Sequence, residues 1–288
     1  MSFVTTLVAP SSTPAFDNAP LGLLEAAGIV VESRHVRAKD RAVDVLTTGV
    51  VAPEVLNEVR ARFRIDAICQ DLATRGKSLL LADMDATMVA EETLDELAGY
   101  AGLKDRIATI TARAMNGELD FEAALRERVA LLKGLPVTAL EQTAGRLTFN
   151  PGADVLIRTL KAHGVHCALV SGGFTYFTGR VAAALGFDEH HGNRLEVAGD
   201  SLAGTVADPI LGKAFKRHCL EAAAERLGIP MSETVAIGDG ANDLPMLQAA
   251  GLGVGWRSKS VLRAALPSHI LFGGLDTLLY CLGLEPVA

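Results

Sequence analysis

The sequence predicts an α/β protein whose main body is a mostly parallel sheet with helices on both faces, carrying a helical insertion and preceded by a smaller α+β unit. Three observations carry this. Helix-like and strand-like stretches alternate four times after residue 150, the segment from Thr93 to about Thr148 has helical periodicity throughout, and residues 1 to about 74 follow the order β-α-β-β-α-β. A chain of 288 residues has room for a full core and a second domain.

In the first 74 residues, "FVTTLV", "AVDVLTTG" and "DAICQ" are apolar runs of strand length, while "PLGLLEAAG" and "PEVLNEVRARF" suit helices. The polar, glycine-bearing "DLATRGKS" ends this unit, so that one domain covers 1–74 and the other 75–288. "LLLAD" then opens the second domain as a buried strand. The helical insertion, at about 91–150, breaks at Asn116-Gly117 and at Leu135-Pro136. Helix and strand follow one another as "GADVLIRTLKAHG" and "HCALVSGG", "FKRHCLEAAAERLG" and "TVAIGDGAND", "LPMLQAAG" and "LGVGW", then "SVLRAALP" and "HILFGG". The stretch from Asp188 to Val206 is expected to be a β-hairpin excursion.

Composition narrows the function. A net charge of -7 with no basic run argues against a large nucleic-acid surface and favours a small-molecule partner. Cys69, Cys167, Cys219 and Cys281 lie far apart without metal-site spacing, as buried thiols of a reducing compartment do. The N-terminal stretch has no basic lead before an apolar core, and no segment approaches the roughly 18 apolar residues of a membrane span. A cytoplasmic protein without a membrane partner is expected. His190-His191 has no carboxylate or cysteine partner at ligand spacing and is expected to be a surface pair.

In an open parallel sheet the ligand lies beyond the carboxyl ends of the strands. Three such ends carry polar residues: Asp83 with Asp85, Ser171-Gly172-Gly173, and Asp239 with Asn242 and Asp243. Residues two apart on an extended segment face one side, so Asp83 and Asp85 share a site. Two unit charges about 4 Å apart repel by roughly 4 kcal/mol at an effective dielectric of about 20. Four gathered carboxylates therefore need a cation. An all-oxygen donor set favours Mg²⁺, which commonly bridges to a phosphate.

Together "DMDATMV", "SGGF" and "GDGANDLPM" resemble the haloacid dehalogenase superfamily of phosphatases, from about Ser78 to the C-terminus. Within it, "EETLDELA" and "DFEAALRERVALLKGLP" look like phosphoserine phosphatase. The resemblance implies a Rossmann-like fold with a helical cap, and element order makes the N-terminal unit similar to a ferredoxin-like ACT domain. It implies Asp83 as nucleophile and Asp85 as general acid and base. Asp83, the Asp85 carbonyl and Asp239 would hold Mg²⁺, with Asp243 supporting from nearby. Ser171, Gly172 and Lys216 would bind the phosphoryl group, with Lys213 as a rival to Lys216, and Asn242 would bind it too or hold the lysine in place. Glu92, Arg128 and Phe121 in the cap would contact the phosphorylated amino acid.

The implied reaction is hydrolysis of O-phospho-L-serine, the last step of serine biosynthesis. Two other readings stay open: a related small-metabolite phosphatase or phosphotransferase, and an amino-acid sensor on a weakly catalytic scaffold. A homodimer is also left open. Ala86 stands where phosphoserine phosphatases usually have serine, a departure that removes neither carboxylate.

Overall fold

The computed structural model describes residues 2–10, 19–115 and 119–287. The expected break at Asn116-Gly117 and the side chain of Lys213 lie outside what is described. The N-terminal unit consists of β1 (Phe3–Val8), α1 (Ala19–Ala26), β2 (Val31–Ala38), β3 (Ala42–Thr47), α2 (Pro53–Phe63) and β4 (Asp66–Asp71). Its antiparallel sheet has the order β2-β3-β1-β4, the ferredoxin-like arrangement of a βαββαβ chain. β1 and β3 are covered on both faces, so that even their polar residues Thr5, Thr6, Asp44 and Thr47 are buried. Leu7, Val43 and Val45 pack with residues of α1 and α2, whereas Val8 and Ala42 meet Tyr280.

The second unit begins with β5 (Leu79–Asp83) and the cap helices α3 (Thr93–Tyr100), α4 (Lys104–Met115), α5 (Phe121–Ala130) and α6 (Thr138–Ala144). It continues through α7 (Ala153–Ala162), β6 (His166–Phe174), α8 (Thr175–Leu185), β7 (Glu189–Asn193), β8 (Leu195–Ala198) and β9 (Ser201–Val206). α9 (Lys213–Leu227), β10 (Thr234–Gly238), α10 (Leu244–Ala249), β11 (Leu252–Trp256), α11 (Ser260–Ala265), β12 (His269–Ile270) and α12 (Thr277–Cys281) complete it. The six strands β12-β11-β10-β5-β6-β7 are all parallel, and Leu79, Leu80, Leu81 and Ala82 of β5 are fully buried at the centre. β5 is flanked by β6 and β10, which brings the three polar strand ends together.

Two expectations need correction. The segment from Asp188 to Val206 is not one hairpin: Glu189–Asn193 is the outermost strand of the parallel sheet, and only β8 and β9 form the hairpin. The polar "EHHGN" hides that strand because an edge strand is half solvated and is kept safe from further pairing by polar side chains. His190 and His191 thus lie on β7, with His190 against the Thr178 hydroxyl (2.9 Å). The cap also has a break between α3 and α4, where Gly102 turns with φ 66°.

The cap is fastened to the β8–β9 hairpin through main-chain bonds from Gly134 N to Leu202 O and from Leu202 N to Leu135 O, each 2.9 Å. Asn150 closes the other end, donating to the carbonyls of Thr87 (2.8 Å) and Val89 (3.1 Å). Arg75 joins the two units. Its guanidinium grips Asp44 of β3 (2.7 and 2.8 Å) and the carbonyls of Tyr280 (2.7 Å) and Cys281 (2.9 Å). All four cysteines are free thiols, and among the described residues no helix is long and apolar enough to cross a membrane.

Candidate active site

β5 delivers Asp83, 3% exposed, to the end of the sheet, and the chain then leaves the strand. Ala86 makes that turn with φ 53°, a left-handed value that costs a non-glycine residue about 1 kcal/mol. Asp83 and Asp85 line one cavity of about 140 Å³ as their spacing predicts. Thr87, two residues beyond Asp85, does not join them because Ala86 redirects the chain, and its hydroxyl is buried without a hydrogen-bond partner among the described residues.

β10 and the turn after it supply the facing wall. Asp83, Asp239 and Asp243 place carboxylate oxygens within 4.8 Å of one another. Asp243 commits both oxygens to the protein: one accepts from the amides of Asp239 (3.1 Å) and Gly240 (3.0 Å), the other from Lys216 Nζ (2.6 Å). A side chain at Gly238 would destroy this, since an added Cβ would lie 2.5 Å from Asp243 Cγ. Lys216 Nζ also donates to Asp83 Oδ1 (2.5 Å), so one buried ammonium ties two carboxylates. Burial disfavours its charge, but Asp243 and Asp83 outweigh that and raise its pKa.

The site is short of positive charge. Burial, with Asp243 beside it, pushes the Asp83 carboxyl well above the usual range despite Lys216. Burial likewise raises Asp239, against the pull of Lys259, whose Nζ is 2.9 Å from Asp239 Oδ2. Four carboxylates face two lysines here. An oxygen-only set of buried carboxylates with that deficit fits a hard divalent cation. Asp83 and Asp239 suit its inner ligands, since Asp243 is already saturated by donors.

Asp85 is held from two elements. The Ser171 hydroxyl at the end of β6 donates to one oxygen (2.6 Å), and Thr93 N, in the first turn of α3, donates to the other (2.8 Å). Gly173 N donates to Ser171 Oγ (2.7 Å). At Gly172 an added Cβ would stand 3.2 Å from the ring of Phe121, so the glycine admits the cap residue.

Glu92, Phe121 and Arg128 from the cap and Asn242 from the β10 turn also line the cavity. The Glu92 side chain is 54% exposed, yet the cavity wall around its carboxylate, reinforced by Asp85, pushes it up to about 7. Arg128 donates from Nε to the Ala124 carbonyl (3.2 Å) and makes no ion pair among the described residues. Burial lowers its pKa. Every predicted site residue therefore meets at one place, Lys216 by reaching across from α9. Lys259 and Thr93 are additions. No spacing in the sequence assigned either of them; Trp256, the last residue of β11, is fully buried.

Comparison with known proteins agrees with this fold. Residues 80–248 match the haloacid dehalogenase-like hydrolase family. The phosphoserine phosphatase of Streptomyces coelicolor is 43% identical over 220 residues, covering 76% of this chain and 54% of that protein. The chain spans 54% to 62% of the length of three curated phosphoserine phosphatases that it matches. Among solved structures, a HAD-family hydrolase from Salmonella enterica serovar Typhi has TM-score 0.88 at 31% identity, with 98% of each chain covered. A phosphoserine phosphatase solved as a phospho-aspartyl intermediate analogue has TM-score 0.67 at 38% identity, covering 73% of this chain and 100% of that one. The chain belongs to the haloacid dehalogenase-like hydrolase family, and within it is similar to the phosphoserine phosphatases.

Proposed function

We propose that the protein is a Mg²⁺-dependent phosphoserine phosphatase acting through an aspartyl phosphate, in the last step of serine biosynthesis and in the cytoplasm. The carrying observation is a cavity with two functional ends. Its floor holds Asp83, Asp85, Ser171 and Asp239; its cap side offers Glu92 and Arg128, which has no ion-pair partner among the described residues. Phosphoserine presents a phosphate, an ammonium and a carboxylate, which match the floor, Glu92 and Arg128 respectively. Phe121 covers the substrate and limits water.

In this mechanism an Asp83 oxygen attacks phosphorus as the bond to the serine oxygen breaks. Asp85 gives its proton to the departing alkoxide, then takes one from the water that attacks the aspartyl phosphate. That second attack releases inorganic phosphate and restores Asp83. Lys216 neutralises phosphoryl charge while holding Asp83 in line; Ser171, the Gly172 amide and Asn242 bind the phosphoryl oxygens. Asp83, the Asp85 carbonyl and Asp239 would hold Mg²⁺, and the ion would supply charge neutralisation for the nucleophile and the phosphate.

The N-terminal unit, 1–74, is proposed as an ACT-like domain beside a 75–288 phosphatase domain with its cap at about 91–150. The similar phosphoserine phosphatase structure, wholly matched by 73% of this chain, supports such a division. The test is phosphate release across phosphorylated small molecules with Mg²⁺ and with chelator. Phosphoserine should lead, chelator should stop turnover, and Asp83→Asn should abolish it. Another preferred metabolite moves the protein to a sister phosphatase, and full activity in chelator removes the metal.

A further inference from the structure

Lys259 spans the two ends of the cavity. Its Nζ lies 2.9 Å from Asp239 Oδ2 on the floor and 4.0 Å from Glu92 Oε1 at the cap. The loop beneath it is built to bring it there. Lys259 N donates to the Asp239 carbonyl (3.1 Å), and Arg257, at φ 38°, turns the chain while its own N donates to Ile270 O (2.9 Å). Between them Ser258 is fully buried, its hydroxyl against His269 Nδ1 (3.0 Å) and its carbonyl accepting from Arg263 Nε (2.7 Å). The backbone is pinned, yet the side chain is 61% exposed and keeps an open route to solvent.

Charge explains why a cation is useful at this spot. Lys216 is committed to Asp83 and Asp243, which leaves Lys259 as the lysine in contact with Asp239. On the function proposed above, the loaded pocket would take two cations near this one ammonium: a divalent ion on Asp239 and a substrate ammonium beside Glu92. We propose that Lys259 is a tethered stand-in cation, which neutralises Asp239 in the free enzyme and is displaced from it when the divalent ion binds. This rests on the metal assignment above. The lysine neutralises and orients Asp239, and metal uptake is correspondingly weaker, since each binding event breaks the Lys259–Asp239 contact and sets two cations close together.

The test is calorimetric titration of the full, substrate-free chain with MgCl₂, beside thermal unfolding with and without the ion. Lys259→Met, which keeps the stem and removes the charge, should bind Mg²⁺ about three- to tenfold more tightly, the size expected for a contact with one exposed partner. By mass action its Mg²⁺-induced rise in Tm should exceed that of the parent. Lys259→Arg keeps a cation and should bind no more tightly than the parent. Equal or weaker Mg²⁺ binding by Lys259→Met would overturn the stand-in role while leaving the metal assignment intact. A parent chain that takes up no Mg²⁺, matching Asp239→Asn, would overturn both.

Discussion

Replacing Arg128 with alanine separates substrate recognition from stability. The guanidinium sits half-buried in the cavity wall with one bond to its own helix, from Nε to Ala124 O, and makes no ion pair among the described residues. Truncation therefore breaks no internal salt bridge and removes a partly desolvated charge, so stability should change by less than about 1 kcal/mol. The substrate carboxylate would lose its planar two-pronged donor. A hydrogen bond to a charged group is worth about 1.5–3 kcal/mol, which converts to a loss of about 10- to 150-fold in kcat/KM. The assay compares phosphate release from phosphoserine with hydrolysis of p-nitrophenyl phosphate, which has no carboxylate, alongside urea unfolding. An equal loss on both substrates, or a loss of several kcal/mol in stability, would refute the assignment of Arg128 to the substrate carboxylate.

Three further outcomes follow from the same geometry. Glu92 must be anionic to hold an ammonium and is pushed up to about 7, so phosphoserine kcat/KM, taken relative to p-nitrophenyl phosphate, should fall as pH drops below that value and level off above it. Glu92→Gln should erase that extra pH limb; a wild-type profile in the variant would exclude Glu92 as its source. Asp85→Asn should retain slow phosphorylation of Asp83 with good leaving groups while losing phosphoserine turnover, as followed by rapid-quench kinetics, and a near-normal steady state would remove Asp85 as proton donor. Arg75→Ala leaves Asp44, 1% exposed, with only Arg37 and the Thr6 hydroxyl and takes a donor from two carbonyls at the junction between units, and should cost about 1–3 kcal/mol in urea unfolding. Asp44 is held below its usual pKa by Arg75 and Arg37, which outweigh its burial. Its contribution in the parent is present above pH about 4 and fades as pH falls through the depressed value, so parent and variant should converge in acid.

Much of this protein was legible in order along the chain. Period-3.6 and strand-length apolar patterns located the elements because burial imposes them locally, and the alternation of helix with strand dictated a parallel sheet. The sheet in turn dictated that Asp83, Ser171 and Asp239 meet, since they end adjacent parallel strands. What escaped the sequence depends on contacts between segments distant along the chain. β7 was hidden because an edge strand need not be apolar, and Lys259 because its place at Asp239 depends on a buried serine, a histidine from β12 and a left-handed arginine. The Arg75 junction was equally invisible, as its partners lie 31 and more than 200 residues away. Local pattern chose the elements and the chemistry, and three-dimensional packing chose which charges face one another, because electrostatic pairing depends on distance in space and burial, neither of which a linear pattern encodes.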